Sequence, residues 1–132
     1  MHENKLPIRI YYEDTDAGGI VYYANYMRFA ERGRTEFLRD LGYQNGELME
    51  KEGIAFVVRK IEADYLAPAK LDDMITVHTV VDSVKKTSFV MKQTVFRQDN
   101  ALFEMYVTLV TVSLDTLKPV RMPENLEQKI RE

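Results

Sequence analysis

A single long segment of this chain has the periodicity of a helix, and almost every other patterned segment has the composition of a strand. Between Tyr23 and Leu41, apolar residues recur at the spacing of one helix face, and charged residues take the opposite face. The apolar positions are Tyr26, Phe29, Ala30, Gly33, Phe37, Leu38 and Leu41. A lone helix with one apolar side needs another layer to cover it, and the strands are the layer that the sequence offers.

The ends of this helix have matching signals. Asn25 is predicted to cap its amino end, and Gly42 suits the position just past its carboxyl end. Arg32 and Glu36 have the spacing of a pair on the exposed face. Gly33 makes the helix less stable by about 1 kcal/mol than alanine would at the same position. A glycine there is explained if the helix backbone lies close against a sheet at that point.

Five segments are dense in the β-branched and aromatic residues that favour strands. One precedes the helix and four follow it: 8–13, 54–65, 74–82, 87–97 and 102–114. Residues 85–86 and 99–100 are short enough to close hairpins. We predict an α+β fold, a five-stranded antiparallel sheet wrapped around one long central helix, in which the last four strands form a meander. The residues from Pro123 onward predict a short amphipathic helix or a frayed end.

Length and composition exclude several kinds of protein. The 132 residues suit one domain covering residues 1–132. The chain has no cysteine and only two histidines, His2 and His78, so thiol nucleophiles and cysteine metal sites are excluded and we expect no metal centre. A net charge of −3 predicts no general attraction to nucleic acid. The polar start and the lack of a stretch of about 20 apolar residues predict a cytoplasmic protein without a membrane span.

Two carboxylates lie on a glycine-containing loop just before the helix, Asp14-Thr15-Asp16-Ala17-Gly18-Gly19. A helix amino end carries unpaired N–H groups and roughly half a positive charge, which stabilise an oxyanion. A nearby carboxylate can attack a carbonyl or deprotonate a water that attacks it. These residue types therefore permit a carboxylate site, although Asp and Gly before a helix serve more often as turn and cap residues.

Two stretches allow comparison with known families. The first is Y-Y-E-D-T-D-A-G-G-I-V-Y-Y-A-N-Y from Tyr11 to Tyr26, followed by R-F-A-E-R-G-R-T-E. The second is F-V-V-R-K-I-E-A-D-Y-L-A-P-A-K-L-D-D from Phe56 to Asp73. Both closely resemble the 4-hydroxybenzoyl-CoA thioesterase family of hotdog-fold proteins, and in particular the branch associated with the bacterial Tol–Pal envelope system.

The resemblance implies an acyl-CoA thioesterase that releases the free acid and coenzyme A, with no cofactor besides the coenzyme A of its substrate. It implies that Asp16 is the catalytic carboxylate, that the backbone N–H of Tyr23 polarises the thioester carbonyl, and that Asp14 has a structural role. Many Tol–Pal-associated relatives carry histidine at the position of Tyr23. The resemblance also implies a homodimer or homotetramer with each active site at a subunit boundary. An acyl carrier protein thioester stays an alternative substrate.

Candidate substrate-binding residues are small or aromatic in the loop and basic elsewhere: Gly19, Tyr22, Tyr26, Arg59, Lys85 and Lys86. The glycine would let the backbone approach a ligand, the tyrosines would line an acyl pocket, and the basic side chains would meet the phosphates of coenzyme A. Core packing of the tyrosines and simple solvation of the lysines are the competing explanations.

Alternatives stand beside this hypothesis. Glu31 is a second candidate acid, because other hotdog branches carry one on the central helix, although an exposed helix charge is the simpler explanation. His78 alternates with apolar residues, which predicts a surface or interface position. A dehydratase or hydratase would need a histidine beside the acid, and none is near Asp16 in the sequence. A non-enzymatic acyl-thioester-binding or scaffold protein of the Tol–Pal system is the alternative function.

Overall fold

The computed structural model describes residues 2–132. Its main elements are five strands and two longer helices: β1 Glu3–Arg9, α1 Asn25–Asp40, β2 Ile54–Tyr65, β3 Met74–Val84, β4 Ser88–Arg97, β5 Asn100–Ser113 and α3 Glu124–Arg131. A short turn of helix, α2 Asn45–Glu47, continues into a wider turn at Leu48–Glu52, and Tyr12–Asp14 forms a single 3-10 turn. No helix in residues 2–132 is long and apolar enough to cross a membrane.

The sheet is antiparallel throughout, with strand order β1-β3-β4-β5-β2. The predicted five-stranded antiparallel sheet is confirmed. The predicted meander is right for β3, β4 and β5 but wrong for β2, which pairs with β5 at the far edge of the sheet. Residues 66–73 cross the sheet between β2 and β3. At roughly 3.3 Å per residue they can span about 26 Å, which exceeds three strand spacings of about 4.8 Å.

The long helix α1 covers the inner face of the sheet, where buried side chains alternate along the strands. The inner residues of β3 to β5 include Ile75, Val77, Phe89, Met91, Val95, Phe103, Met105 and Val107. A Cβ at Gly33 would lie 2.8 Å from Thr79 Oγ1 and 2.9 Å from Val77 Cγ1, so the predicted close approach of helix and sheet is confirmed. The buried Gln93 side chain joins the two layers, because its Nε2 donates to Ala30 O at 2.7 Å and to Thr79 Oγ1 at 2.9 Å.

Several local predictions differ from the structure. The first strand spans Glu3–Arg9 instead of the predicted residues 8–13, because it begins earlier in pairing with β3 and residues 12–14 form the 3-10 turn. Asn25 is the first residue of α1 and does not cap it. Glu36 pairs with Arg39 at 3.3 Å instead of with Arg32. Gly42 has a φ of +89°, as its place after the helix requires.

Candidate active site

The loop before α1 folds into a tight hairpin, residues 15–21, which we call the Asp16 hairpin. Asp16 N donates to Ile20 O at 3.0 Å, and Gly19 N donates to Asp16 O at 3.1 Å. Gly19 has a φ of +76°, the left-handed conformation that closes a three-residue hairpin loop and that glycine adopts without strain. A bridge between Thr15 and Val21 extends the pairing. The backbone position of Asp16 is therefore fixed by hydrogen bonds on both sides of the turn.

The Asp16 carboxylate is exposed and only partly engaged. Gly18 N–H donates to its Oδ1 at 2.9 Å, and Oδ2 accepts no hydrogen bond from residues 2–132. No cationic side chain of the described chain forms an ion pair with it. One free carboxylate oxygen without a neutralising cation is what a nucleophile or a general base requires.

The hairpin is tied to the start of α1 through the backbone carbonyl of Asp14. Tyr22 N–H donates to this oxygen at 3.0 Å, and the Asn25 side-chain amide donates to it at 2.8 Å. The Asp14 carboxylate turns the other way and accepts the Tyr11 N–H at 2.8 Å. Sequence reasoning missed this role of Asn25, because an asparagine at a helix start is most simply explained as a cap.

Tyr23 lies in the turn that leads into α1, and the residue is 62% exposed. Its backbone N–H donates to no acceptor within residues 2–132. Its carbonyl accepts the Tyr65 hydroxyl at 3.2 Å and the Tyr26 N–H at 3.4 Å. The Tyr23 N–H belongs to the Tyr22–Tyr23 peptide, whose carbonyl accepts the Asn25 N–H at 2.9 Å. A free N–H on a peptide held in this way at a helix start can donate to a developing oxyanion. Tyr65 was not identified from the sequence, where it is one aromatic residue at the end of a strand.

The tyrosines predicted to bind substrate have different environments. Tyr22 is exposed, and its ring contacts that of Tyr23 with centroids 4.8 Å apart. Tyr26 is buried at 3% exposure, and its hydroxyl accepts the Ala69 N–H at 3.0 Å. Burial raises the pKa of Tyr26, against the effect of that hydrogen bond. In the single chain Tyr26 supports the site from beneath and presents no surface to a ligand.

The basic residues lie apart from Asp16 within one chain. Arg59 is exposed at a bulge of β2 between Val58 and Lys60. Lys85 and Lys86 form the β3–β4 turn, whereas the Asp16 hairpin contacts residues 69–71 near the opposite end of β4. The ten residues of β4 span about 30 Å at roughly 3.3 Å per residue. Lys85 and Lys86 therefore lie far from Asp16 in the same chain.

A cleft of about 340 Å³ runs between α1 and the amino-terminal half of β2. Its lining is mostly apolar, with Glu31 and Arg34 among its polar residues; the apolar part includes Leu38, Leu48, Met49, Phe56, Val58 and Leu109. Burial lowers the pKa of Arg34, whose guanidinium donates to Gln93 Oε1 at 2.9 Å. Neither Asp16 nor Tyr23 lines this cleft. Glu31, the second candidate acid, thus belongs to the cleft and not to the hairpin.

Neither histidine is near the hairpin. His2 Nε2 lies 3.0 Å from Asp40 at the far end of α1, and His78 Nδ1 lies 3.1 Å from Glu3 on the outer face of the sheet. Among residues 2–132 no group of three His, Cys, Asp or Glu is arranged to hold a metal ion. The chemistry that the hairpin and the start of α1 offer together is that of one carboxylate and one backbone N–H.

Several known proteins with similar sequences or structures are named thioesterases. The family model for the thioesterase-like superfamily matches residues 11–130. The acyl-CoA thioesterase YbgC of Haemophilus influenzae is 43% identical over 122 residues, which cover 92% of this chain and 90% of that protein. A probable thioesterase from Bartonella henselae superposes with a TM-score of 0.88 at 35% identity, over 92% of this chain and 100% of that one.

The 4-hydroxybenzoyl-CoA thioesterase of Pseudomonas sp. strain CBS-3 has the same fold, with a TM-score of 0.90 at 21% identity over 97% of this chain and 99% of that one. The resemblance to the thioesterase family drawn from residues 11–36 and 56–73 is confirmed by the family match and these relatives, whereas the Tol–Pal branch stays a prediction. The family match covers residues 11–130, the relative is 43% identical, and the antiparallel sheet surrounds one central helix. This chain therefore belongs to the thioesterase-like superfamily and has the hotdog fold.

Proposed function

We propose that this protein is an acyl-CoA thioesterase, which hydrolyses an acyl-CoA to the free acid and coenzyme A. The observation that carries the proposal is the Asp16 hairpin. It presents a partly free carboxylate and is hydrogen-bonded to the start of α1, where the Tyr23 N–H is free. The relative named acyl-CoA thioesterase, similar over nine-tenths of its length, supports the substrate class.

In the proposed reaction the thioester carbonyl oxygen accepts the Tyr23 N–H while Asp16 acts on the carbonyl carbon. Asp16 either attacks directly, giving an acyl-aspartyl anhydride that water then hydrolyses, or it deprotonates a water that attacks. Both routes release the coenzyme A thiolate, which is a good leaving group and needs no strong general acid. One backbone donor at an oxyanion contributes about 3 kcal/mol to transition-state stabilisation.

A second copy of the chain completes the proposed site. The edge strand β2 carries Val58, Ile61 and Tyr65 on the same sheet face as the core, yet all three are more than 40% exposed. Pairing of two β2 edges about a two-fold axis is necessarily antiparallel. The amino-terminal half of the partner's β2, with its apolar cleft, then lies beside the end of β2 that is close to Asp16. The cleft is the proposed acyl pocket. The cleft of one subunit holds the acyl group on which Asp16 of the other subunit acts.

The decisive test is thiol release by the purified protein from a panel of aliphatic and aromatic acyl-CoAs. Asp16→Asn should keep the fold and ligand binding and reduce turnover by at least about a hundredfold, the usual contribution of a positioned base. Asp14→Asn and Glu31→Gln are the controls, since each removes another candidate carboxylate, one from the same loop and one from the cleft. Near-normal turnover in Asp16→Asn, or a larger loss in either control, would contradict the assignment.

The same panel separates the alternatives. Acyl-CoA binding with no thiol release by the unaltered protein would instead support a non-enzymatic binding or scaffold protein. Faster release from acyl carrier protein thioesters than from coenzyme A thioesters would mean that the preferred substrate is carried on acyl carrier protein. The proposed role of Asp16 would be unchanged. A cytoplasmic location and an association with the Tol–Pal system stay predictions, which cell fractionation and co-purification would test.

A further inference from the structure

The Asp16 hairpin rests on a second irregular segment, residues 68–73, which we call the strap. Val21 N–H donates to Ala69 O at 2.8 Å, and Leu71 N–H donates to Gly19 O at 3.0 Å. These two bonds lie on either side of an Ile20–Lys70 bridge. The strap thus acts as the neighbouring strand of the hairpin, and the position of Asp16 depends on where the strap lies.

The strap is itself held by a charged pair that lies outside the hairpin. Asp73 Oδ2 accepts the Lys70 N–H at 2.8 Å, which closes the strap on itself. Arg97, the last residue of β4, donates from Nη1 to the same Asp73 oxygen at 2.7 Å and to Pro68 O at 3.3 Å. One guanidinium nitrogen therefore joins both ends of the strap to the end of a central strand.

The two side chains are partly shielded, with 33% of Arg97 and 22% of Asp73 exposed. A short charge-assisted hydrogen bond in such a position fixes geometry more strongly than a fully exposed pair does. Other bonds of the strap reach different elements: the Tyr26 hydroxyl of α1 accepts the Ala69 N–H at 3.0 Å, and Arg9 of β1 donates to Asp72 O at 2.7 Å. Just before the strap, Ala67 N–H donates to Leu102 O of β5 at 3.1 Å. Arg97 is the contact that joins the two ends of the strap to each other and to β4. Without Arg97 the strap keeps its contacts with the hairpin but loses this anchor to β4.

We propose that Arg97 and Asp73 are positioning residues for Asp16: their ion pair fixes the strap, and the strap fixes the hairpin that presents the carboxylate. The catalytic consequence rests on the proposed thioesterase function, whereas the structural coupling does not. Neither residue touches the substrate in this account. Removing the pair should let the carboxylate sample unproductive positions, which reduces turnover more than it weakens substrate binding.

The variants are Arg97→Met, which removes the pair, and Arg97→Lys, which can restore it because a single nitrogen makes both bonds. Arg131→Met is the control, since it removes an arginine–glutamate pair of 3.1 Å in α3, away from the strap. We expect Arg97→Met to reduce kcat roughly tenfold with KM changed less than about twofold. Arg97→Lys should recover most of this loss, and Arg131→Met should match the unaltered protein.

Two further measurements separate positioning from general destabilisation. Hydrogen exchange at the Val21 and Leu71 amides should be faster in Arg97→Met and unchanged in Arg131→Met. In an Asp16→Asn background, Arg97→Met should have no further effect on residual turnover, because its effect passes through Asp16.

Unchanged exchange at both amides in Arg97→Met would overturn the structural coupling. Two results would overturn the positioning role and leave the thioesterase assignment intact. One is faster amide exchange in Arg97→Met with a normal kcat. The other is an equal loss of turnover from Arg97→Met in the unaltered protein and in the Asp16→Asn background. If the unaltered protein released no thiol from any acyl-CoA, the proposed function and the catalytic role of the pair would fail together. The exchange measurement would still decide whether the pair holds the hairpin.

Discussion

At the scale of single residues, Gly33 shows how one position sets the distance between helix and sheet. In place of the glycine hydrogen, a Cβ would meet the fully buried Thr79 and Val77 at under 3.0 Å and Gln93 Nε2 at 3.1 Å. None of these three side chains can move into solvent. The favourable helix propensity of alanine, about 1 kcal/mol, is therefore opposed by an overpacking cost of about 1–3 kcal/mol.

Gly33→Ala should lower the free energy of unfolding by about 1 kcal/mol, the middle of the range that is left when the propensity gain is subtracted from the crowding cost. Urea unfolding monitored by circular dichroism measures this. Gly46→Ala is the control, because an added Cβ at Gly46 has no neighbour within 4 Å, and it should leave stability unchanged or slightly higher. A Gly33→Ala protein as stable as the Gly46→Ala protein would show that the helix can move away from the sheet without cost.

The residues of the site were predictable from the sequence to unequal degrees. Asp16 and Tyr23 follow from motif resemblance together with the chemistry of a helix start, and the structure puts both on one hydrogen-bonded segment. Asn25 and Tyr65 could not be assigned their contacts, because each bonds to a backbone carbonyl whose direction depends on the folded loop. No sequence pattern indicated a role for Arg97, because its partner Asp73 in the strap lies 24 residues away along the chain.

At the scale of secondary-structure elements, the sequence pattern did not predict the place of β2 in the sheet. Strand composition located its bounds at Ile54–Tyr65, but pattern alone does not say which edge of the sheet a strand joins. A clue was present in the run Arg59-Lys60-Ile61-Glu62, because charged side chains on a strand are typical of an edge. The β3–β4 and β4–β5 connections are hairpin turns, whereas residues 66–73 are long enough to cross the sheet.

The edge strand β2 also predicts how copies of the chain associate. Ile61 faces the core side of the sheet and is 41% exposed, so a partner strand is expected to cover it. Ile61→Lys should convert the protein to a monomer at micromolar concentration, because a charge would have to be buried at the new interface. Sedimentation velocity at several concentrations measures this.

Met74→Lys is the matched control for the edge. Met74 is an apolar residue of similar exposure, 44%, at the start of β3, which β4 and β5 separate from β2. This change should leave the assembly as it is. Sedimentation of the unaltered protein as a monomer, or of Ile61→Lys as the same dimer, would mean that the β2 edge is not the interface.

At the scale of the whole molecule, the separation between Asp16 and the basic turn favours a site that is shared between two chains. Lys85 and Lys86 lie about 30 Å from the hairpin end of β4 at roughly 3.3 Å per strand residue. In a two-fold dimer joined at β2, the partner's turn is at the same end of the joined sheet as Asp16. If these lysines meet the phosphates of coenzyme A, they do so for the active site of the other subunit.

Mixed dimers distinguish this arrangement from one in which each chain serves itself. Asp16→Asn should lack turnover, and a Lys85→Ala, Lys86→Ala double variant should lose catalytic efficiency through a higher KM, because each phosphate contact contributes a charge-assisted hydrogen bond. Unfolding and refolding the two proteins together yields hybrids in which one site has both defects and the other has none. Thiol release at low acyl-CoA concentration should then exceed that of either parent refolded alone. If the lysines served their own chain, every site in the hybrid would carry one defect, and mixing would give only the average of the two parents.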